Sequence, residues 1–175
     1  VGNVGNTAQL TNSQFELQWG EWTANCDAVS TWTGISDSAS DAFELVASTH
    51  IDPDGEATTG SLLANSEGYT RVNGEGRESA DTTGSIGPLD NDEYTELEFS
   101  LRPTKAAVNG GRYCFRLYDS ANAQPLEYYT NYPTVEIATI DFADVVGEYG
   151  TITLSPSTWT TINLGDSYTD LVVVA

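Results

Sequence analysis

The chain has 175 residues, of which 39% are apolar or aromatic, enough for one domain and a small additional unit. Six Lys and Arg residues face 26 Asp and Glu residues, so the formal net charge is −20. Binding to nucleic acid or to an anionic membrane surface requires clustered cations, so neither partner is expected. No apolar run approaches the ~20 residues that span a bilayer, so membrane insertion is not expected either.

The first part of the chain predicts short β-strands separated by polar loops. Residues 1–11 are rich in Gly and Asn and predict either an edge strand or a loose arm. Residues 14–19 alternate apolar and polar side chains, which indicates a half-buried strand with its apolar residues facing inward. A β-prone run surrounds Trp32, and the alternation in residues 42–48 favours a strand over a single helical turn.

An acidic turn follows, within the sequence DPDGE. Its alternating carboxylates, Asp52, Asp54 and Glu56, can wrap a hard cation such as Ca²⁺. A complete calcium loop needs further ligands, so an acidic turn without metal is the alternative, and no other cofactor is expected. The single histidine, His50, has no second His or Cys nearby and is expected at the surface. Residues 74–87, rich in Gly, Ser and Thr, predict a long surface loop.

The strongest strand signals lie in the middle of the chain. Apolar and polar residues alternate in residues 94–101 (YTELEFSL) and again in 112–118 (RYCFRLY), and a third extended run follows. Glu96 and Glu98 lie two apart on the polar face of the first of these strands. That face predicts solvated carboxylates, because a catalytic acid–base pair requires one carboxyl group in an apolar pocket. The chain is therefore expected not to be an enzyme.

The character of the sequence changes after residue 138. An apolar and acidic connector, residues 139–150, precedes three further β runs. Over residues 151–175 these runs are similar to the opening strands of lectin-like or phage-fibre-like β units. The chain therefore predicts two parts: a main β domain at residues 1–138, and a connector with a small C-terminal β extension at residues 139–175.

The last run of the chain is apolar and needs burial; it contains Leu171, Val172, Val173 and Val174. One explanation is that this run pairs within its own fold. A second is that it adds as a strand to a neighbouring copy, where main-chain hydrogen bonds hold the subunits together. A third is that a larger chain has been truncated here. The run is thus a candidate subunit contact.

Aromatic motifs carry a resemblance to a known family. They are NSQFELQWGEW, then YTELEFSLRPTKAAVNGGRYCFRLYD, then PLEYYTNYPTVEI, and together they cover roughly residues 14–137. They resemble a repeated immunoglobulin-like module of very large bacterial cell-surface proteins. The resemblance implies an all-β, immunoglobulin-like antiparallel β-sandwich in an extracellular or cell-surface setting, and it supplies no functional residues.

Two cysteines, Cys26 and Cys114, lie just after the first clear strand and inside a later one. A sandwich brings these two positions together. The alternatives are a disulfide bond and two free thiols in a reducing compartment. The secreted-looking composition and the family resemblance favour the disulfide.

These features predict a non-catalytic structural subunit of an extracellular surface layer or filament. Copies of the chain would be its partners, joined head to tail by β-strand exchange. The alternative function is a carbohydrate-binding or adhesive module, with glycans as partners. For that function Tyr129 and Tyr132, together with a tryptophan, are candidates for a sugar-stacking platform.

Overall fold

The computed structural model describes residues 1–3, 9–58, 68–79, 82–126 and 132–138. Within these ranges the chain forms β-strands and one short 3-10 helix, Cys26–Ala28, and no α-helix, which confirms the all-β prediction. The strands are β1 (Gly2–Asn3), β2 (Phe15–Glu21), β3 (Thr33–Gly34), β4 (Phe43–Leu45), β5 (Thr70–Val72), β6 (Gly76–Arg77), β7 (Glu93–Thr95), β8 (Glu98–Phe99), β9 (Leu101–Pro103), β10 (Arg112–Asp119), β11 (Gln124–Pro125) and β12 (Thr134–Glu136).

Backbone contacts divide the chain into two compact units, Val1–Ala138 and Thr139–Ala175. The second unit, with the predicted connector and C-terminal extension, lies outside the described residues, so its β structure stays a prediction. In the described ranges no helix is long and apolar enough to cross a membrane.

The main sheet is built around β2 and β10, which pair antiparallel from Tyr113 opposite Glu21 to Asp119 opposite Phe15. The sheet has five strands: β3 adds to the free side of β2, while β11 and β12 pair with the two ends of β10. Both long strands lie where the period-two pattern predicted a strand, at residues 14–19 and 112–118. Their alternation is regular because one face of each strand packs on the core.

The core lies between this sheet and the antiparallel pair of β4 and β9. Phe43 of β4 is 1% exposed, and its ring centroid is 5.0 Å from those of both Tyr113 and Phe115 of β10. The Trp19 ring of β2 packs edge-on against Phe43 and Tyr113. The edge-to-face arrangement of these rings is favourable beyond the area they bury. Two layers of strands therefore enclose one aromatic core, as in a β-sandwich.

The prediction of one strand over residues 94–101 is wrong in detail. The segment is divided among β7, β8 and the start of β9, and each pairs with a different partner: β7 with β1 and β5, β8 with β6, and β9 with β4. The β5–β7 and β6–β8 pairs are parallel, so the predicted antiparallel arrangement does not extend to every strand pair. A uniform alternation of side chains cannot reveal this division among different partner strands.

The predicted surface loop at residues 74–87 is likewise corrected, because it contains β6 and buried side chains. Arg77 is 9% exposed and Ile86 is 6% exposed. A Cβ atom at Gly74 would lie 1.8 Å from the carbonyl oxygen of Glu96, so only glycine permits this approach of the two backbones. The glycines that suggested a loop thus serve close packing.

Candidate functional site

The two cysteines form the covalent link of the domain. Cys26 and Cys114 are joined by a disulfide with their Cα atoms 5.7 Å apart, which confirms the predicted bond and makes the free-thiol alternative wrong. Cys26 begins the 3-10 helix, whose N-terminus is capped by Asn25, since the Asn25 side chain accepts a hydrogen bond from the Ala28 N–H at 2.8 Å. The bond ties this helix to β10 near the start of that strand, and it is compatible with an extracellular protein.

The face of the main sheet opposite the core carries a cluster of aromatic and cationic side chains, which we call the outer cluster. It consists of Arg116, Trp32 and Tyr132. The Arg116 guanidinium lies 4.4 Å from the centre of the Trp32 ring, and Trp32 stacks on Tyr132 with 5.8 Å between centroids. Arg116 Nε also donates to Gln18 Oε1 at 2.8 Å, which orients the guanidinium.

The outer cluster contains one of the two predicted sugar-platform residues. Tyr132 does stack on a tryptophan, but Trp32 also contacts Arg116, so much of its aromatic surface already serves the protein itself. Tyr129 lies outside the described residues. Sequence reasoning missed the role of Arg116, although its position on the polar face of a strand rich in aromatic residues was a usable signal.

One edge of the main sheet is formed by β12, whose three residues are all exposed. The residues on either side of β12 are hydrogen-bonded to β10 and the residue before it. Phe115 N donates to Pro133 O at 2.9 Å, and Ile137 N donates to Gly111 O at 2.8 Å. Arg112 Nη2 contacts Glu136 Oε2 at 2.8 Å and fixes the strand from the side. These contacts set which backbone groups of β12 face inward.

In an antiparallel pair, alternate residues direct their backbone groups to the partner strand and away from it. Since residues 133, 135 and 137 face β10, Thr134 and Glu136 direct their N–H and C=O groups outward. Among the described residues, none forms a backbone hydrogen bond with these outward groups. The side chain of Val135 on the same strand is 40% exposed. Within the described part of the chain, the outer side of β12 is therefore an open strand edge.

The acidic turn proposed for calcium is held by protein contacts instead. Asp54 accepts hydrogen bonds from Glu78 N at 2.7 Å and from Ser79 Oγ at 2.9 Å, and Arg77 Nη1 lies 3.3 Å from its carboxylate. Burial alone would raise the pKa of Asp54, but these hydrogen bonds and the arginine outweigh it and hold the pKa below its ordinary value.

The other two carboxylates of this turn do not join Asp54 in a common site. Glu56 Oε1 accepts a hydrogen bond from Asp52 N at 3.2 Å. Nowhere in the described ranges do three or more His, Cys, Asp or Glu side chains gather in a way that could hold a metal ion. The described residues therefore provide no ligand set for calcium. Structural calcium stays a prediction.

Glu96 and Glu98 differ from each other in their surroundings. The expectation of a solvated Glu96 is wrong, because this residue is 4% exposed and its Oε2 lies 3.5 Å from Arg71 Nε. Glu98 contacts Nε2 of the largely exposed His50 at 2.9 Å. Glu96 can be buried because β5 places Arg71 beside it, and a buried carboxylate requires such a partner.

Comparison with protein-family models, with curated proteins and with solved structures found no match to this chain. The resemblance to the bacterial surface module stays an expectation based on its motifs. The functional assignment below therefore depends on the geometry of the chain itself.

Proposed function

We propose that this chain is a non-catalytic structural module of an extracellular assembly, in which copies join head to tail by β-strand addition. The observation that carries the proposal is the outer edge of β12, where the backbone groups of Thr134 and Glu136 have no hydrogen-bond partner among the described residues. An open edge of this kind is a template for a strand from another chain. We take β12 as the acceptor.

The donor in this proposal is the apolar run of Leu171, Val172, Val173 and Val174, which lies outside the described residues. Its β-branched residues suit an extended strand. Exposed Val135 offers an apolar contact beside the acceptor backbone. Because donor and acceptor are different surfaces, each added copy leaves one of each free, and the assembly grows as a filament unless rotation closes it into a ring.

The disulfide supports this role in two ways. It favours an oxidising, extracellular setting. It also anchors β10, the strand that carries β12, to the segment after β2. An acceptor edge mounted on a covalently fixed strand is a preorganised surface, which lowers the entropic cost of association.

Deletion of residues 170–175 tests the proposal. We expect the full chain to form multimers and the shortened chain to be a folded monomer, as measured by light scattering after size exclusion and by electron microscopy. Val108→Ser serves as the control, because it removes another exposed apolar side chain, 58% exposed, that lies outside β12. Assembly that survives the deletion removes strand addition from the account.

The alternative, carbohydrate recognition on the outer cluster, is favoured by one observation, the stacking of Trp32 on Tyr132. A glycan array with the intact chain and with Tyr132→Ala tests it. Saturable binding that is lost in the variant supports the alternative, whereas no saturable binding by the intact chain removes it.

A further inference from the structure

The only lysine of the chain, Lys105, lies in the loop between β9 and β10, residues 104–111, which we call the lysine loop. The side chain of Lys105 is exposed. Every arginine contacts a carboxylate or an aromatic ring, but none of the described carboxylates lies within ion-pair distance of Lys105. On a chain with a net charge of −20, Lys105 is therefore the cation that is available to a carboxylate from another molecule.

The lysine loop is fixed to the rest of the domain at its start and at its end. Thr104, directly before Lys105, donates its N–H to the carbonyl oxygen of Ala42 at 3.0 Å. Near the end of the loop, Gly110 N donates to the carbonyl oxygen of Ile137 at 3.0 Å. The backbone that presents Lys105 is thus positioned before any partner arrives, which lowers the entropic cost of a contact.

The end of the lysine loop borders the C-terminal end of β12. Ile137, which is bonded to this loop, directly follows Glu136, the last residue of β12. The carboxylate of Glu136 is already paired with Arg112 of its own chain at 2.8 Å. Lys105 can therefore serve a carboxylate that reaches this end of the acceptor edge from a second copy.

The direction of an added strand decides which of its ends meets the lysine loop. Each described pairing in the main sheet is antiparallel, and antiparallel pairing is slightly more stable per residue than parallel pairing. A strand added antiparallel to β12 places its first residues beside the last residues of β12. The residue before the donor run is Asp170, so antiparallel addition takes Asp170 to the end that borders the lysine loop. Parallel addition would take Asp170 to the opposite end, at Thr134.

We propose that Lys105 of one copy pairs with Asp170 of the next copy and thereby fixes the added strand antiparallel to β12. This inference rests on the strand addition proposed above and supplies its direction. The charges are complementary, and the five arginines are engaged within their own chain. An exposed ion pair contributes little affinity, so its main effects are on the orientation and rate of association.

Reversal of the two charges, singly and together, tests the ion pair in the full chain. Light scattering measures the protein concentration at which half of each protein is assembled, at an ionic strength of about 0.01 M. We expect Lys105→Glu and Asp170→Lys each to raise this concentration about fivefold, and the double variant to restore it to within about twofold of the wild type. The differences should shrink at about 0.15 M, because salt screens the pair.

The net charge separates this ion pair from general repulsion between copies. Asp170→Lys makes the chain less acidic, so repulsion alone would make this variant assemble more readily, which is opposite to the expected result. Asp166→Lys makes the same change of charge earlier in the sequence and is the matched control, which should not weaken assembly. Circular dichroism spectra like that of the wild type would show that the variants are folded.

Two results overturn the inference and leave strand addition in place. One is that Asp170→Lys assembles as readily as the wild type. The other is that the double variant assembles no better than Lys105→Glu. A wild type that does not assemble at any concentration would instead remove strand addition and the ion pair together.

Discussion

At the scale of single residues, the arginine side chains all make contacts within the domain. Each of the five arginines lies against a carboxylate or an aromatic ring. Pairs such as Arg71 with Glu96 and Arg77 with Asp54 and Glu75 involve buried or half-buried partners. Carboxylates far outnumber these arginines, and the net charge of −20 reflects this excess.

Asp119 gives a residue-scale prediction. This residue is 2% exposed, and its carboxylate accepts hydrogen bonds from the Asn122 side chain at 2.8 Å and from backbone N–H groups of Ala121 and Asn122. Burial opposes ionisation, but the hydrogen bonds from Asn122 and Gln14 outweigh it, so the pKa of Asp119 is lowered. Its stabilising effect is therefore present above the unfolded-state pKa of about 3.9 and is lost as pH falls through the lower folded-state pKa.

We expect Asp119→Asn to lower the free energy of unfolding at neutral pH by about 1–3 kcal/mol, because buried donors lose an ionised acceptor. The variant should also lose less stability than the wild type on acidification below about pH 4. Urea unfolding at neutral and acid pH measures both effects. Asp37→Asn, at an exposed position, is the control and should change little. Equal acid sensitivity of wild type and Asp119→Asn would contradict this interpretation.

At the scale of elements, the alternation of apolar and polar residues predicted a strand correctly where the whole strand packs against a single core. Alternation identified β2 and β10, because every second side chain of these strands meets the same layer. It failed for β7, β8 and β9, because their partners are four different strands, β1, β4, β5 and β6. The buried Glu44 shows the same limit, since the residue that permits its burial, Arg102, lies on β9, far away in sequence.

The disulfide carries the first element-scale prediction. It joins residues separated by 88 positions, and closing a loop of that length stabilises a fold by roughly 4–5 kcal/mol in the chain-entropy model. We expect the double variant Cys26→Ser, Cys114→Ser to lose most of this stability, measured by chemical unfolding. A reductant should destabilise the wild type and leave the double variant unchanged. An unfolding midpoint of the wild type that does not respond to full reduction would contradict the prediction.

The second element-scale prediction concerns the acceptor edge, the outer side of β12. In Thr134→Pro the missing N–H group and the proline ring both face outward, a position where an edge strand tolerates proline. We expect a folded monomer that no longer assembles. Thr134→Val, which loses the hydroxyl group and keeps the backbone donor, should assemble like the wild type. Near-identical circular dichroism spectra of the two variants would show that the fold is retained, and filaments of Thr134→Pro would exclude β12 as the acceptor.

At the scale of the whole molecule, copies with a charge of −20 repel one another. Strand addition depends on hydrogen bonds and apolar contacts, so salt that screens the repulsion between copies should promote assembly. We expect assembly to increase as ionic strength rises from about 0.01 M to about 0.15 M, where the Debye length falls from about 30 Å to about 8 Å. Light scattering at the two salt concentrations measures this. Assembly that weakens with salt would indicate contacts between opposite charges instead.

The sequence alone could predict the all-β class and the cysteine pair, because these follow from local periodicity and from composition. It could not predict that Val29 and Thr31 pack directly on Gly20. It also could not predict which backbone groups of β12 face away from β10, since that depends on the register of the two strands. Sites built from long-range pairing become visible only once the pairing is known.

Mixing two defective proteins tests the central claim most directly. Thr134→Pro has a blocked acceptor and an intact C-terminal run, whereas the chain without residues 170–175 has an intact acceptor and no donor. Analytical ultracentrifugation should show each protein alone as a monomer and the mixture as a one-to-one pair that does not grow further. A mixture that remains monomeric, or either protein forming filaments alone, would contradict head-to-tail strand addition.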